Sequence, residues 1–274
     1  MTRMPCTEAD YAFLRQFILN RSENILDPSR NGLFDARLYR LLQAEGMAGL
    51  DELVCKLKLA ANPALDQAVV EAMTINETSF FRDPMTFELM REKLLPQLIE
   101  RRTRQRSLRF WSAACSSGQE VYSLAMLVRN YFPDLAEWKI EVIGTDIHAE
   151  MIRRAQIARY HRREINRGLP ARFLLNYFTR HEDEWEVIEE LRAMCSFHQK
   201  NLVRALPPLN RYDGILIRNV LFYFPEGTQR RILQRARAAL KADGFLMLGS
   251  SEQAGHQDHW QPIVDGNTCY YKPH

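Results

Sequence analysis

From Glu8 to about Leu98 the apolar residues of the chain recur at helical spacing. Tyr11, Leu14, Phe17 and Ile18 share one face, Leu38, Leu41 and Leu42 a second, and Leu50, Leu53, Val54 and Leu57 a third. Ser22, Asp27-Pro28, Gly46, Gly49 and Asn62-Pro63 lie between these stretches and are residues that start or stop helices. The pattern predicts an all-helical bundle of five helices. Beyond Arg101-Arg102-Thr103-Arg104-Gln105-Arg106 the period changes. Strands are expected over 108–113, 139–144, 212–218, 244–248 and 268–271, and helices over 119–131, 149–158 and 225–240. Strand and helix alternating at these lengths predict an α/β fold, a mainly parallel sheet with helices on both faces.

One stretch breaks the alternation. Seven arginines and one acid, Glu164, fall between Arg153 and Arg172, and six acids follow between His181 and Glu190. Trp185, Val187 and Ile188 interleave with those acids as in a short strand. Residues of about 160–195 are therefore expected to form a small antiparallel β-subdomain inserted into the α/β domain; the alternative is a long solvated loop. The boundaries that follow are 1–85 for a helical N-terminal domain and 86–274 for the α/β domain with its insertion.

Composition narrows the class. With 46% hydrophobic and 26% charged residues, the 274-residue chain is neither disordered, nor a coiled coil, nor collagen-like. No apolar run approaches the ~20 residues of a membrane span. Met1-Thr2-Arg3-Met4-Pro5 lacks the apolar core of a signal peptide, so a cytoplasmic protein without membrane insertion is expected. A net charge of +3 is too slight to imply nucleic acid. The five cysteines (Cys6, Cys55, Cys115, Cys195, Cys269) contain no C-x-x-C, the histidines no H-E-x-x-H, and His256 with His259 is the one near pair. Neither a disulfide framework nor a metal site is expected.

Ligands of an open parallel sheet sit beyond the carboxyl ends of its strands, near the first strand–turn–helix. Here that turn is Ala113-Ala114-Cys115-Ser116-Ser117-Gly118-Gln119-Glu120. Its small residues allow close approach, but a single glycine makes a poor cradle for a dinucleotide pyrophosphate. Asp146, just past the second strand, is placed to accept both hydroxyls of a ribose or, alternatively, to cap the helix that starts near His148. A one-glycine turn with such an acid suits S-adenosylmethionine, which carries no phosphate, better than NAD.

Four segments resemble the CheR family of chemotaxis receptor glutamate methyltransferases. Asn76-Glu77-Thr78-Ser79-Phe80-Phe81-Arg82-Asp83 is similar to the family's N-x-T-x-F-F-R signature, and the run from Phe110 to Glu120 to its first strand and loop. Gly144-Thr145-Asp146-Ile147 resembles the end of its second strand, and Arg218-Asn219-Val220-Leu221-Phe222-Tyr223-Phe224 its R-N-V-x-x-Y-F segment. The likeness runs in the expected order from about Tyr11 to Lys272 and implies a Rossmann-like class I methyltransferase domain.

The resemblance also implies roles. Asn76, Thr78, Arg82, Glu120, Asp146, Asn201, Leu202, Arg218 and Asn219 would bind S-adenosylmethionine, with S-adenosylhomocysteine as product. Arg82 and Tyr223 would lie beside the transferred methyl as catalytic residues. For Arg82 the plain alternative is a surface ion pair to Asp83 or Glu88, and for Tyr223 core packing. Cys115 stands where a small residue such as Ala is expected, a departure expected to be harmless. A glutamate carboxylate, with an ordinary pKa of ~4.3, is already anionic at neutral pH, so the reaction needs alignment in a dry site rather than a general base. The D/N-P-P-Y/F run of base-acting amino-methyltransferases is absent; Pro207-Pro208 reads as a loop.

The family's partners are methyl-accepting chemotaxis receptors, and the resemblance implies a monomer. Arg30, Arg37 and Arg40 are spaced to share one helical face, which suits docking onto a glutamate-rich helical bundle. Some members add a short receptor peptide to the inserted β-subdomain as a strand, but the Arg-rich to Glu-rich composition here speaks against that. Two other readings stay open at this point. One is an RNA methyltransferase, suggested by the arginine runs; the other is a module that senses S-adenosylmethionine without transferring its methyl group.

Overall fold

The computed structural model describes residues 6–59, 62–204, 211–254 and 259–274. The amino-terminal pentapeptide, Pro207-Pro208 and His256 of the sequence reading lie outside these. The chain divides into two compact units. One holds the residues up to Ile75 together with Tyr223–Thr228, and the other holds Asn76–Phe222 with Gln229–His274.

The first unit is built from four helices, α1 (Glu8–Ser22), α2 (Gly32–Ala44), α3 (Leu50–Leu59) and α4 (Pro63–Ala72). Thr7 and Asp10 close a reciprocal capping box on α1, and the Asn62 side chain caps α4 with Pro63 in its first turn. The apolar faces meet in a core of Leu14, Ile18, Phe34, Leu38, Leu53 and Val69, all essentially inaccessible. Each such side chain contributes roughly 1.5–3 kcal/mol by burial. The Ile25 N–H donates to the Tyr223 carbonyl at 2.8 Å, tying the later segment to this unit.

The fifth predicted helix belongs to the second unit. It runs as α5 (Pro84–Leu89), a π-turn over Met90–Leu94, and α6 (Leu95–Arg102). Pro96 explains the π-turn: proline offers no N–H and its ring crowds the carbonyl one turn back, so the ladder widens there. The division between units falls ten residues before the boundary expected from the pattern (Ile75 rather than 85) because the signature is anchored in the sheet's core. Phe80 packs edge-on against Tyr160 and Phe178, and Phe81 stacks on Phe173 with ring centres 4.8 Å apart.

The sheet unit continues through β1 (Ser107–Ala113), α7 (Gln119–Tyr131), β2 (Lys139–Asp146), α8 (Ala149–Ile157), β3 (Arg159–His161), α9 (Arg162–Ile165), α10 (Ala171–Tyr177), β4 (Phe178–His181), β5 (Glu184–Val187), α11 (Glu189–Arg192), β6 (Cys195–Gln199), β7 (Tyr212–Ile217), α12 (Glu226–Ala239), β8 (Leu240–Leu248), β9 (Trp260–Asp265) and β10 (Thr268–Pro273). Seven strands form one sheet in the order β6-β2-β1-β7-β8-β10-β9. The first five are parallel, and β10 runs antiparallel to both β8 and β9. This is the Rossmann-like α/β order expected, with β1 at the point where the winding reverses. Gly214 is required by the core: a Cβ there would meet the Phe245 ring at 2.6 Å and the Phe110 ring at 2.9 Å. The expected insertion is a second, three-stranded antiparallel sheet, β3-β5-β4. Among the described residues no helix is long and apolar enough to cross a membrane.

Candidate functional site

The strand register sets the site. Ala113 lies opposite Thr145 and Ile217, Asp146 opposite Gln199, and Ile217 opposite Leu248. The next residues, Ala114, Lys200, Arg218 and Gly249, therefore leave the sheet beside Asp146 along one carboxyl edge. Backbone strain gathers there. Of the ten non-glycine residues with positive φ among the described residues, five belong to the signature or to turns of this edge: Phe81 (48°), Asp83 (58°), Ala114 (57°), Ser116 (50°) and Asn219 (59°). Left-handed backbone costs roughly 1–2 kcal/mol per such residue and persists only where surrounding contacts impose it.

Those contacts are visible. The Cys115 N–H donates to the Thr145 carbonyl at 3.0 Å, and Tyr160 Oη donates to the Ser117 carbonyl at 2.8 Å. Asp146 is 6% exposed; its Oδ2 accepts from the Ser116 N–H at 2.8 Å and its Oδ1 from the His148 N–H at 2.9 Å. His148, not Asp146, is the N-cap of α8, so the aspartate ties the first loop to the second strand instead of capping the helix. Burial raises the Asp146 carboxyl above its ordinary value, and the two amide bonds oppose that rise. The signature is held in the same way. Ser116 Oγ donates to the Asn76 carbonyl at 2.8 Å, and the Phe81 N–H donates to Ser123 Oγ at 2.9 Å.

A buried cation organises the centre. The Arg218 side chain is 1% exposed, donating through Nη2 to Asp83 Oδ2 at 2.7 Å and through Nη1 to Glu120 Oε2 at 2.8 Å. Nη2 also reaches the Arg82 carbonyl at 2.7 Å, while Nε is buried without a hydrogen-bond partner. Glu120 Oε1 accepts from Ser112 Oγ at 2.7 Å. One guanidinium thus stands between two carboxylates. Asp83 lay inside the signature, where its φ and its arginine partner were invisible. Ser112 and Ser116 carried no signal beyond small size.

Arg82 forms no ion pair among the described residues, with Asp83 or Glu88 or any other acid; its Nη1 donates to the Glu77 carbonyl at 3.0 Å. Thr78 is half-buried. Asn201 and Leu202 follow β6 on the same edge, and Asn201 Oδ1 accepts from the Val203 N–H at 3.0 Å in a local turn. Tyr223 ends a short 3-10 turn, Leu221–Tyr223, and is grouped with the helical unit. Arg30 does not share a helical face with Arg37 and Arg40. It sits in a 3-10 turn, Pro28–Arg30, fixed by Asp27 capping Ser29, and α2 starts only at Gly32. Arg37 is turned inward, its Nη1 donating to the Met73 carbonyl at 2.8 Å, whereas Arg30 and Arg40 are exposed.

Cys115 fits without disturbance because Gly144 makes room: a Cβ on Gly144 would lie 2.8 Å from the Cys115 Sγ. Burial pushes the Cys115 thiol well above its ordinary value, the opposite of a nucleophile's requirement. A groove of about 1320 Å³ lies between α8 and the insertion, rimmed by Arg153, Arg162, Arg163, Arg180, Glu182 and Trp185. None of the candidate cofactor residues lines it.

Known proteins resemble this chain over most of its length. The family described as CheR methyltransferase, SAM binding domain, matches residues 76–270. Chemotaxis protein methyltransferase 1 of Pseudomonas aeruginosa is 35% identical over 95% of this chain and 96% of its own length. Chemotaxis protein methyltransferase Cher2 of Pseudomonas putida is 34% identical over 93% of this chain and 94% of its own. Chemotaxis protein methyltransferase 1 of Vibrio cholerae is 31% identical over 99% of both chains.

Proposed function

The chain belongs to the CheR methyltransferase family, and on that premise we propose that it methylates glutamate side chains of chemotaxis receptors to form methyl esters. The observation that carries this reading is the charge arrangement of the carboxyl edge. Asp83 and Glu120 outnumber Arg218, Asp146 adds a further acid, and Arg82 keeps its guanidinium out of any ion pair among the described residues.

The residues fit S-adenosylmethionine. An excess of carboxylate suits a ligand that carries a sulfonium and an ammonium, and the orphaned Arg218 Nε is a buried donor available to its carboxylate. Bound cofactor supplies an electrophilic methyl on sulfur. The Asp146 carboxylate accepts backbone amides through both oxygens, and its roughly four acceptor sites exceed those amides, so that it can still take a ribose hydroxyl. Asn76, Thr78, Glu120, Arg218 and Asn219 take the amino-acid part, and Asn201 with Leu202 borders the adenine. Arg82 orients the acceptor carboxylate by charge-assisted hydrogen bonds; that group is already anionic and gives up no proton. The role implied for Tyr223 is not drawn into this scheme, because that residue belongs to the helical unit.

The receptor is engaged as the cytoplasmic helical bundle of its signalling region, by a monomer, with exposed Arg30 and Arg40 on the helical unit facing acidic residues. An RNA substrate is disfavoured because five of the seven arginines between Arg153 and Arg172 are already engaged within the protein. Arg153, Arg154, Arg159 and Arg167 meet Glu150, Glu164, Glu186 and Glu77, and Arg172 stacks on Tyr131 and Phe173.

The test is incubation with methyl-labelled S-adenosylmethionine and a receptor signalling fragment, followed by mild base. Label released as methanol is expected. Arg82→Ala should lower kcat/KM by roughly 10–100-fold, the worth of a charge-assisted hydrogen bond. Base-stable label would move the protein to amine chemistry. Cofactor binding without transfer to any receptor would make it a sensor.

A further inference from the structure

The turns after β7 and β8 leave the sheet side by side, since Ile217 pairs with Leu248. After Arg218 the chain enters a left-handed residue, Asn219, which brings three successive backbone amides round toward one acceptor. That acceptor is Glu252, 7% exposed. Its Oε2 accepts from the N–H groups of Asn219 and Gly249, and its Oε1 from those of Val220 and Leu221, all four at 2.7 Å. All four amides lie in the two turns of the carboxyl edge, and both carboxylate oxygens are committed to them.

Gly249 provides a second, independent sign that this contact is built. A Cβ there would stand 2.7 Å from Glu252 Oε2, 2.8 Å from Asn219 Nδ2 and 2.9 Å from the Asn219 nitrogen. Only a residue without a side chain lets the carboxylate and the asparagine meet. Two positions some thirty residues beyond Asn219 are thus shaped around its backbone, although neither belongs to any of the motifs.

We propose that Glu252, admitted by Gly249, is a positioning residue for the cofactor site: its carboxylate holds Asn219 in the left-handed conformation that presents it to the cofactor. The proposal rests on the reading of Asn219 as a cofactor residue, and its test separates the two. The probe is S-adenosylhomocysteine titrated calorimetrically into the full chain, with thermal unfolding followed in parallel. Glu252→Gln leaves two amides facing an NH₂ group and should weaken binding at least ~tenfold. Glu252→Asp should recover part of that loss. In an Asn219→Ala background, Glu252→Gln should cost less than ~twofold more, because the residue it acts through is gone. If Glu252→Gln does not fold, Gly249→Ala, which keeps the carboxylate but blocks its approach, should show the same non-additivity. Equal losses in the two backgrounds would overturn the proposal alone, leaving Glu252 a general staple of the fold. Wild-type affinity in Asn219→Ala itself would overturn the reading of Asn219, and the proposal with it.

Discussion

Two buried arginines, at opposite ends of the same sheet, show how one kind of side chain serves different purposes. Arg102, at the end where β1 starts, donates to Asp213 at 2.7 Å and to Asp243 at 2.6 Å, and Lys241 joins Asp213 at 2.9 Å. There three cations, Arg101, Arg102 and Lys241, meet two carboxylates, and each guanidinium nitrogen of Arg102 has a partner. Asp213, fully inaccessible, also takes the Arg109 N–H at 2.9 Å. At the carboxyl end Arg218 faces two carboxylates alone, with one nitrogen unpartnered and left-handed backbone on both sides of the contact. A saturated network with no carboxylate in excess has nothing left to offer a cationic ligand; one with excess carboxylate under strain does. The contrast locates the site without reference to any motif.

The comparison breaks if removing the two cations has the same consequence. Arg102→Ala strips buried Asp213 of one of its two cations and Arg218→Ala leaves largely buried Glu120 without one, and each should cost up to about 3–5 kcal/mol of stability. Folded Arg102→Ala protein should keep its cofactor affinity, whereas Arg218→Ala should lose cofactor binding by about a hundredfold, the order expected for lost charge-assisted bonds. Denaturant melts and calorimetry on both variants read the two quantities separately. Equal loss of affinity in both would mean that charge balance does not distinguish the ends.

Asp146 sharpens the picture through pH. Its affinity contribution needs the carboxylate, so binding should weaken as pH falls through its raised pKa. That loss begins at a higher pH than for an ordinary aspartate near ~3.9. Stability moves the other way. The folded state holds this proton more tightly than the unfolded chain does, so ionising Asp146 costs stability as pH rises from the unfolded to the folded value. Asp146→Asn should therefore weaken cofactor binding roughly 10–100-fold and remove this stability change over the same window. A binding profile that stays flat until the ordinary aspartate range would contradict the burial argument.

What the chain disclosed in advance depended on how local each cause was. α7 over Gln119–Tyr131 and the core of β1 were legible because periodicity and a glycine start are properties of a few neighbouring residues. β6 and β9 were not. Cys195-Ser196-Phe197-His198-Gln199 buries only Phe197, and β9 carries Pro262, tolerable because an edge strand leaves half its amides unpaired. Arg30 looked like part of a helix because spacing says nothing about where Pro28 and Asp27 stop the chain from joining α2. The signature showed Arg82 and hid Asp83, whose partner lies 135 residues away. Glu252 was silent for the same reason: its four partners are backbone amides, which carry no residue identity.

The smallest effects come from moving one charge at each end toward the other's balance. Glu120→Gln removes one negative charge from the carboxyl end and leaves Arg218 with the single carboxylate of Asp83, while the amide can still bond to Ser112 and Arg218. Stability should change by less than about 1 kcal/mol, and affinity for the cationic cofactor should drop several-fold, roughly one screened charge. Lys241→Met removes a positive charge from the opposite end, leaving Arg101 and Arg102 with its two carboxylates. Lys241 is 30% exposed, so solvent already screens it and the loss should be only ~1 kcal/mol, a shift of about 2–4 °C in Tm. Cofactor affinity should not move. This end, with its cationic excess removed, would still lack the strained turns and the orphaned donor found beside Arg218. If Lys241→Met nevertheless gained affinity for S-adenosylmethionine, removing a positive charge alone would make a site, and the backbone strain at the carboxyl edge would need another explanation.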